Sequence, residues 1–223
     1  MDPDGVVCAF GIHPVVCAQQ PGIVLQRGDE LSRRLRGPRC VAMGEVGLDY
    51  VKCTRDHQRT EQRQSLHYLL RLRPKAQPIV VHCRGDGALA DCLKILGQRV
   101  ERNTVVQVHC FIGGREEISR WRQAFPRCLF SISPKSAALS GSLADEHRLA
   151  VRGLSLDQIL VETDAPHLGK SAGVRPQPPG LASPRRDLYR VGEWVAQLKG
   201  LCPSIVLAAA GHNAHRAFGI PVS

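Results

Sequence analysis

The sequence predicts an α/β fold in which parallel strands alternate with helices around a barrel. Short β-branched runs alternate with longer amphipathic stretches, and 223 residues suffice for one such domain spanning residues 1–223. Strands are expected at residues 6–10, 41–44, 79–82, 105–109, 129–132 and 159–162. Helices are expected near residues 29–36, 56–72, 87–96, 115–125 and 143–152, which gives six β/α units.

The C-terminal part of the sequence has a different composition. Residues 169–184 are rich in glycine, proline and serine, which predicts a loop, and two helical stretches follow near residues 188–199 and 204–218. Leu188, Val191, Val195 and Leu198 share one face of the first stretch, so we expect this helix to cover the barrel.

Charge and cysteine usage restrict the partners and the compartment. The formal net charge of +10 favours nucleic acid as a partner, although a basic surface without a specific ligand has the same charge. Nine cysteines without a CxxC spacing indicate a reducing compartment. Neither a secretory signal nor an apolar run of ~20 residues is found, so we expect a soluble protein of the nucleus or cytoplasm with no membrane partner. The oligomeric state is left open.

Potential metal ligands follow four of the predicted strands. Glu45 follows VAMG, His82 follows PIVV, His109 follows VVQV, and Asp164 follows ILVET. Because the carboxyl ends of barrel strands converge on one rim, these four residues are expected to meet there. Each histidine taken alone is equally compatible with a structural role. Together, imidazole and carboxylate donors suit Zn²⁺, Mn²⁺ or Mg²⁺.

Six segments resemble the successive signatures of the TatD-type metal-dependent nucleases, and they occur in the order of that family. They are GIHP at 11–14, GEVGLDY at 44–50, PIVVHCR at 78–84, VHCFIGG at 108–114, VETDAP at 161–166 and GHNAHRAFG at 211–219. The resemblance implies a TIM-type (β/α) barrel of the metal-dependent hydrolase kind. It also implies a deoxyribonuclease or exonuclease that hydrolyses phosphodiester bonds of DNA, with RNA as a further substrate.

The resemblance also implies roles for particular residues. Glu45 is expected to be shared by two divalent ions, with His82 and His109 as imidazole ligands. Asp164 is expected to bind an ion and to accept the proton of the attacking water, so Glu45 and Asp164 are the expected catalytic residues. His13 is expected to contact substrate phosphate or orient a ligand without binding the ion itself.

Four neighbouring residues allow two interpretations each. Arg84 is placed to bind a substrate phosphate, or it is a surface arginine. Asp49 either supports a metal ligand or caps the next turn, and the cap is favoured. Cys83 and Cys110 each follow an expected ligand, so thiolate ligation has to be considered. Side chains alternate along a strand, which favours both thiols pointing away from the site.

The sequence departs from the family at its beginning. Family members start with a strand ending in a His-x-His pair, whereas the first strand expected here leads directly into GIHP. We therefore expect an incomplete barrel that lacks the first two strands. Either the chain is a fragment of a longer product, or it has lost catalysis, and the fragment is favoured. The activity of the chain is expected to be reduced. The basic residues that follow VETDAP, Arg175 among them, are compatible with phosphate contact.

Two other functions remain open at this stage. One is a metal-dependent hydrolase of the same barrel superfamily that acts on an ester, an amide or a lactone, because one fold supports many substrates. The other is a metal-poor pseudoenzyme that binds nucleic acid or protein through its basic surface.

Overall fold

The computed structural model describes residues 6–168 and 184–220. The chain divides into two compact units, which are Met1–Val108 with Trp121–Cys128, and His109–Arg120 with Leu129–Ser223. The strands are β1 Cys8–Phe10, β2 Cys40–Asp49, β3 Ile79–Arg84, β4 Val106–Val108, β5 Leu129–Ile132 and β6 Ile159–Val161. The helices are α1 Pro14–Gln19, α2 Ile23–Leu35, α3 Asp56–Leu72, α4 Ala88–Arg99, α5 Arg115–Ala124, α6 Pro134–Ala137, α7 Gly141–Gly153, α8 Pro184–Lys199 and α9 Pro203–Phe218.

The predicted alternation of strands and helices is confirmed, and the chain is of the α/β class. Each predicted strand and helix has a counterpart, and α3 and β5 have the predicted bounds. The short helices α1 and α6 were not predicted, because four to six residues carry too little periodicity to be recognised. Both begin with a proline at a first-turn position, which fits the fixed backbone angle of that residue. The predicted loop 169–184 with Arg175 lies outside the described residues except for Pro184.

The first unit holds a parallel sheet of four strands in the order β1, β2, β3, β4. Its interior is built from side chains such as Met43, Leu48 and Ile79, which are fully buried. Helix α3 places Leu66 and Leu69 on the same buried face, at the spacing that brings helical side chains together. This packing fixes the position of α3 along the strands of the sheet.

Strand β2 continues through the GEVGLD segment, whereas the sequence predicted that it ends at residue 44. Along this stretch Gly47 lies opposite His82 of β3, and Asp49 lies opposite Arg84. Gly47 has a φ of 147°, and a Cβ atom there would lie 1.9 Å from the carbonyl oxygen of His82. A glycine is therefore required for β2 to approach β3 beneath His82.

Replacing Gly47 with alanine is expected to lower the free energy of unfolding by about 3 kcal/mol or more, because a steric clash adds to a strained backbone. Gly97 in helix α4 is the control, since a Cβ atom there meets nothing within 4 Å. Gly97→Ala should be neutral or stabilise by about 0.5–1 kcal/mol. Urea unfolding of the two variants measures the difference. Equal stabilities would contradict the steric argument.

The second unit pairs β5 with β6 in parallel, and two polar side chains brace it. The Asn213 amide of α9 donates to the carbonyl oxygens of Leu156 and Ile159, at 2.7 and 2.8 Å. Its own oxygen accepts a hydrogen bond from Arg216 at 2.8 Å. Asn213 is 2% exposed, so its hydrogen bonds hold α9 against the beginning of β6. The asparagine of the GHNAHRAFG segment is thus a structural anchor.

His147 of α7 is the second brace. It is fully buried, and its Nδ1 atom lies 3.0 Å from the carbonyl oxygen of Gly113, to which it donates a hydrogen bond. Burial lowers the pKa of His147, and the nearby charge of Arg148 lowers it further. The ring is therefore neutral in the folded chain and gains its proton more readily after unfolding.

The stability of the chain should therefore fall as the pH drops below about 6.5, the ordinary histidine pKa, where the unfolded chain takes up a proton that the buried ring resists. The contribution of one such group reaches about 1.4 kcal/mol per pH unit. Urea unfolding at a series of pH values, compared with His147→Gln, tests this expectation. The variant should show a shallower loss on the acidic side, and an identical slope would contradict the assignment.

No single described helix is long and apolar enough to cross a membrane. One pair of helical segments would be long and apolar enough if counted together, but it is bent by 112°. The pair is Arg185–Lys199 and Pro203–Phe218. All nine cysteines lie within the described residues, and each is a free thiol. The expectation of a single domain stays a prediction, and so does that of a barrel lacking its first two strands.

Candidate metal centres

A first group of ligand-type side chains lies in the first unit, on β2 and β3 and at the start of α1. His82 Nδ1 lies 2.8 Å from Glu45 Oε2, and His82 Nε2 lies 3.1 Å from Asp49 Oδ2. His13 stacks edge-on against His82 with ring centroids 4.6 Å apart. One donor atom from each of His13, Glu45 and His82 lies within 4.8 Å of the others, so these three residues could hold a metal ion.

His13 also begins helix α1. Its Nδ1 atom accepts a hydrogen bond from the backbone amide of Val15 at 3.2 Å, as an N-cap does. This contact orients the ring so that Nε2 lies 3.9 Å from Glu45 Oε2. The sequence expected His13 near the site without contact to the ion, and the structure brings it within reach of direct ligation.

Asp49 combines the two roles between which the sequence left a choice. Its Oδ1 atom caps the following turn by accepting from the amides of Val51 and Lys52, at 3.1 and 2.8 Å. Its Oδ2 atom contacts His82. Burial alone would raise the pKa of Asp49, but the hydrogen bonds from His82 and Lys52 and the charge of Arg84 lower it to about 2. The carboxylate is therefore charged where it supports His82.

Gln62 of α3 fixes the backbone of Asp49. The amide of Asp49 donates to Gln62 Oε1 at 2.8 Å, and Gln62 Nε2 donates to the Asp49 carbonyl oxygen at 3.2 Å. Gln62 is completely buried, so both bonds are shielded from water. Sequence reasoning missed this residue. A polar position on the apolar face of α3 was the signal that could have revealed it.

The second group lies in the second unit. His109 Nδ1 lies 2.9 Å from Glu162 Oε2, and His109 Nε2 lies 3.6 Å from Asp164 Oδ1. Burial alone would lower the pKa of His109, whereas the contacts with Cys110 and Glu162 raise it above its ordinary value. Burial alone would likewise lower the pKa of His82, and its bonds to Asp49 and Glu45 raise it. Both rings thus lie where positive charge is favoured.

Glu162 is a site residue that the sequence analysis missed. Besides its contact with His109, it accepts a hydrogen bond from the backbone amide of Cys110 through Oε1 at 2.7 Å. The signal was present in VETDAP, because residues 162 and 164 are two apart and would share one side if the strand continued as an extended chain. The strand ladder itself continues to Glu162, whose amide donates to Ile132.

The two cysteines that follow the histidines differ, and the expectation that both point away is wrong for Cys110. Cys83 lies within β3 and its thiol interacts with the buried Cys92 of α4, as strand alternation predicts. Strand β4 ends at Val108, and Cys110 has a φ of 45°, in the left-handed region. Alternation no longer applies there, so the Cys110 sulfur lies within 4.8 Å of donor atoms of His109 and Glu162.

The remaining predicted residues are placed as follows. Glu45 and His82 meet in the first unit, and His109 and Asp164 meet in the second unit. A common rim for all four stays a prediction. Arg84 ends β3, and its charge acts on Asp49. Its contact with substrate phosphate also stays a prediction.

The donor sets fit a divalent metal ion. Each group offers imidazole nitrogen and carboxylate oxygen from partly buried side chains, with raised histidine pKa values that favour a cation at the same place. Each histidine also has a carboxylate on the ring nitrogen opposite a candidate ligand atom, the arrangement that orients imidazoles at metal sites.

An α/β fold with imidazole and carboxylate clusters at its strand ends defines the class of the metal-dependent hydrolases built on TIM-type barrels. The chain belongs to the family described as TatD related DNase, whose sequence pattern matches residues 2–219. The TIM-type fold that the resemblance implied is confirmed by YJJV, a TatD homologue from Escherichia coli. The two share a TM-score of 0.78 and 24% identity, over 99% of this chain and 79% of that one.

Relatives with assigned descriptions come from human and bacteria. The human 3'-5' RNA nuclease TATDN2 is 33% identical over 95% of this chain, which spans 26% of the human protein. The 3'-5' ssDNA/RNA exonuclease TatD of Erwinia billingiae is 30% identical over 95% of this chain and 77% of its own length. YcfH of Escherichia coli, described as an uncharacterized metal-dependent hydrolase, is 32% identical over 99% of this chain and 76% of its own length.

Replacing Gln62 with leucine should loosen the first group without removing any ligand atom. The variant leaves the buried amide and carbonyl of Asp49 unpaired, which costs about 1–3 kcal/mol of stability. The support of His82 should weaken with it, lowering Mn²⁺ affinity about 10-fold or more. Gln64→Leu is the control, because Gln64 is exposed on the same helix. Calorimetric Mn²⁺ titration and thermal unfolding measure both effects. Lower stability with unchanged affinity would show that Gln62 is purely structural.

Proposed function

We propose that this protein is a divalent-metal-dependent nuclease that hydrolyses phosphodiester bonds of single-stranded DNA or RNA from the 3' end. The observation that carries the proposal is the pair of strand-end histidines, each flanked by carboxylates on both ring nitrogens. The descriptions of the human and Erwinia relatives support the substrate class and the direction. The net charge of +10 supports a polyanionic substrate.

The proposed ligands are Glu45 and His82 in one group and His109 and Asp164 in the other, with Mg²⁺, Mn²⁺ or Zn²⁺ as the ion. A divalent ion held by these residues would lower the pKa of a water bound to it and would neutralise charge on phosphodiester oxygens. Asp49 supports His82, and Glu162 supports His109, by holding each ring in one orientation and tautomer.

The remaining proposed roles concern the substrate and the proton. Asp164 accepts the proton of the attacking water as the water oxygen bonds to phosphorus and the ester bond from phosphorus to the leaving oxygen breaks. Arg84 binds a phosphate of the strand with its planar guanidinium group, which matches the oxygens better than an ammonium does. His13 either contacts a neighbouring phosphate or completes the first group as a ligand, since its ring lies against His82.

The activity test uses 5'-labelled single-stranded DNA and RNA of one sequence, with Mg²⁺, Mn²⁺ or Zn²⁺ and with a chelator. A ladder of products shortened from the 3' end is expected with metal and should disappear with the chelator. Glu45→Gln and Asp164→Asn should each reduce the rate by ~10²-fold or more, the usual effect of losing a charged group at a transition state.

The control variants for this test are Glu30→Gln and Asp145→Asn. They change the same residue types within exposed helical ion pairs with Arg34 and Arg148. Both should keep the activity of the unmodified chain. Cleavage of simple esters without cleavage of DNA or RNA would favour the alternative hydrolase. Binding of nucleic acid without cleavage under any metal would favour the pseudoenzyme.

A further inference from the structure

The second group contains a sulfur atom that the proposed nuclease chemistry does not use. Cys110 follows His109 directly, and its backbone amide is fixed by Glu162 Oε1 at 2.7 Å. A ring nitrogen of His109, the Sγ atom of Cys110 and a carboxylate oxygen of Glu162 all lie within 4.8 Å of one another. Three donors of different chemistry therefore converge from the segments that follow β4 and β6.

The position of the sulfur depends on an unusual backbone conformation. Cys110 has a φ of 45°, which is sparsely populated by residues other than glycine and carries a cost. The hydrogen bond that its backbone amide donates to Glu162 Oε1 stabilises this conformation. The turn places the thiol on the side of His109 rather than on the opposite face, where strand alternation would put it.

We propose that His109, Cys110 and Glu162 form a binding site for a thiophilic divalent cation of the Zn²⁺ type. The proposal shares His109 and Glu162 with the proposed nuclease site, where Glu162 supports the ring, and here it makes Glu162 a ligand beside Cys110. It concerns which ion this chain binds rather than which bond it cleaves, so it is tested by metal binding and not by activity. A mixed set of nitrogen, sulfur and oxygen donors suits Zn²⁺, whereas Mg²⁺ requires oxygen donors. Sulfur ligation thus distinguishes this group from the group of His13, Glu45 and His82.

The geometry requires little rearrangement. Zinc ligands lie about 2.0–2.3 Å from the ion, so donor atoms within 4.8 Å of each other need to close by a small side-chain movement. As the metal–sulfur bond forms, the thiol proton of Cys110 passes to solvent, and the ion supplies the compensating charge. Three protein ligands leave the fourth position of a tetrahedral ion for water or substrate.

Cys83 provides a matched control within the same chain. It also follows a candidate ligand histidine, His82, but it lies inside β3 with a regular strand conformation. Its thiol interacts with the buried Cys92. Both cysteines directly follow a candidate ligand histidine, but their thiols point in different directions. Comparing their serine variants therefore shows whether the direction of the thiol decides metal binding.

The test is a Co²⁺ titration of the full chain followed by absorption spectroscopy, because Co²⁺ occupies Zn²⁺ sites and a bound thiolate gives an intense near-ultraviolet charge-transfer band. The unmodified chain and Cys83→Ser should develop the band, and Cys110→Ser should lose it. Added Zn²⁺ should abolish the band, while excess Mg²⁺ should leave it unchanged. Absence of the band in the unmodified chain, or its persistence in Cys110→Ser, would overturn the proposal.

Circular dichroism establishes whether Cys110→Ser is folded. If it is not, Glu162→Gln decides, because this variant keeps the thiol and the side-chain shape while removing the charged oxygen donor. Its Co²⁺ affinity, read from the same band, should fall about 10-fold or more. An unchanged affinity would overturn the proposal. Loss of nuclease activity in any of these variants has no bearing on this result, so the two proposals fail separately.

Discussion

The described site residues depend on one recurring interaction, a histidine at a strand end with a carboxylate on each ring nitrogen. His82 lies between Glu45 and Asp49, and His109 lies between Glu162 and Asp164. An imidazole in water can rotate and exchange tautomers, whereas a ring held from both sides has one orientation. The carboxylates also favour positive charge at the ring, which is the electrostatic condition for binding a metal ion.

The surrounding structure consists largely of contacts that keep these carboxylates in place. Gln62 holds the backbone of Asp49 through two buried hydrogen bonds, and Gly47 lets β2 run close enough to β3 for Asp49 to reach His82. In the second unit, Asn213 fixes the beginning of β6, the strand that leads to Glu162. Each contact uses main-chain atoms of the strand, so the positions of the carboxylates follow from backbone geometry.

The sequence was sufficient to predict the order of strands and helices and the main candidate ligands. Their position after a predicted strand singled out Glu45, His82, His109 and Asp164 as candidates, because carboxyl ends of parallel strands carry functional side chains in barrels. In the structure β2 runs past Glu45 to Asp49. The sequence was insufficient where local conformation departs from regular structure. The direction of Cys110 depends on a left-handed residue after β4, and strand periodicity carries no information about that angle. Gln62 acts through main-chain atoms 13 positions away, a partnership that appears once α3 packs on β2.

The anchoring of β6 by Asn213 makes the C-terminal helix part of the frame around the second group. The side-chain amide of Asn213 donates both of its hydrogens to carbonyl oxygens just before and at the beginning of β6, and its oxygen accepts a hydrogen bond from Arg216. Both N–H donors of the amide are used, so α9 and β6 move together or the buried amide loses its acceptors. A ligand that shifted α9 would therefore displace the candidate metal ligands near the end of β6, Glu162 and Asp164, from about 50 residues further along the chain.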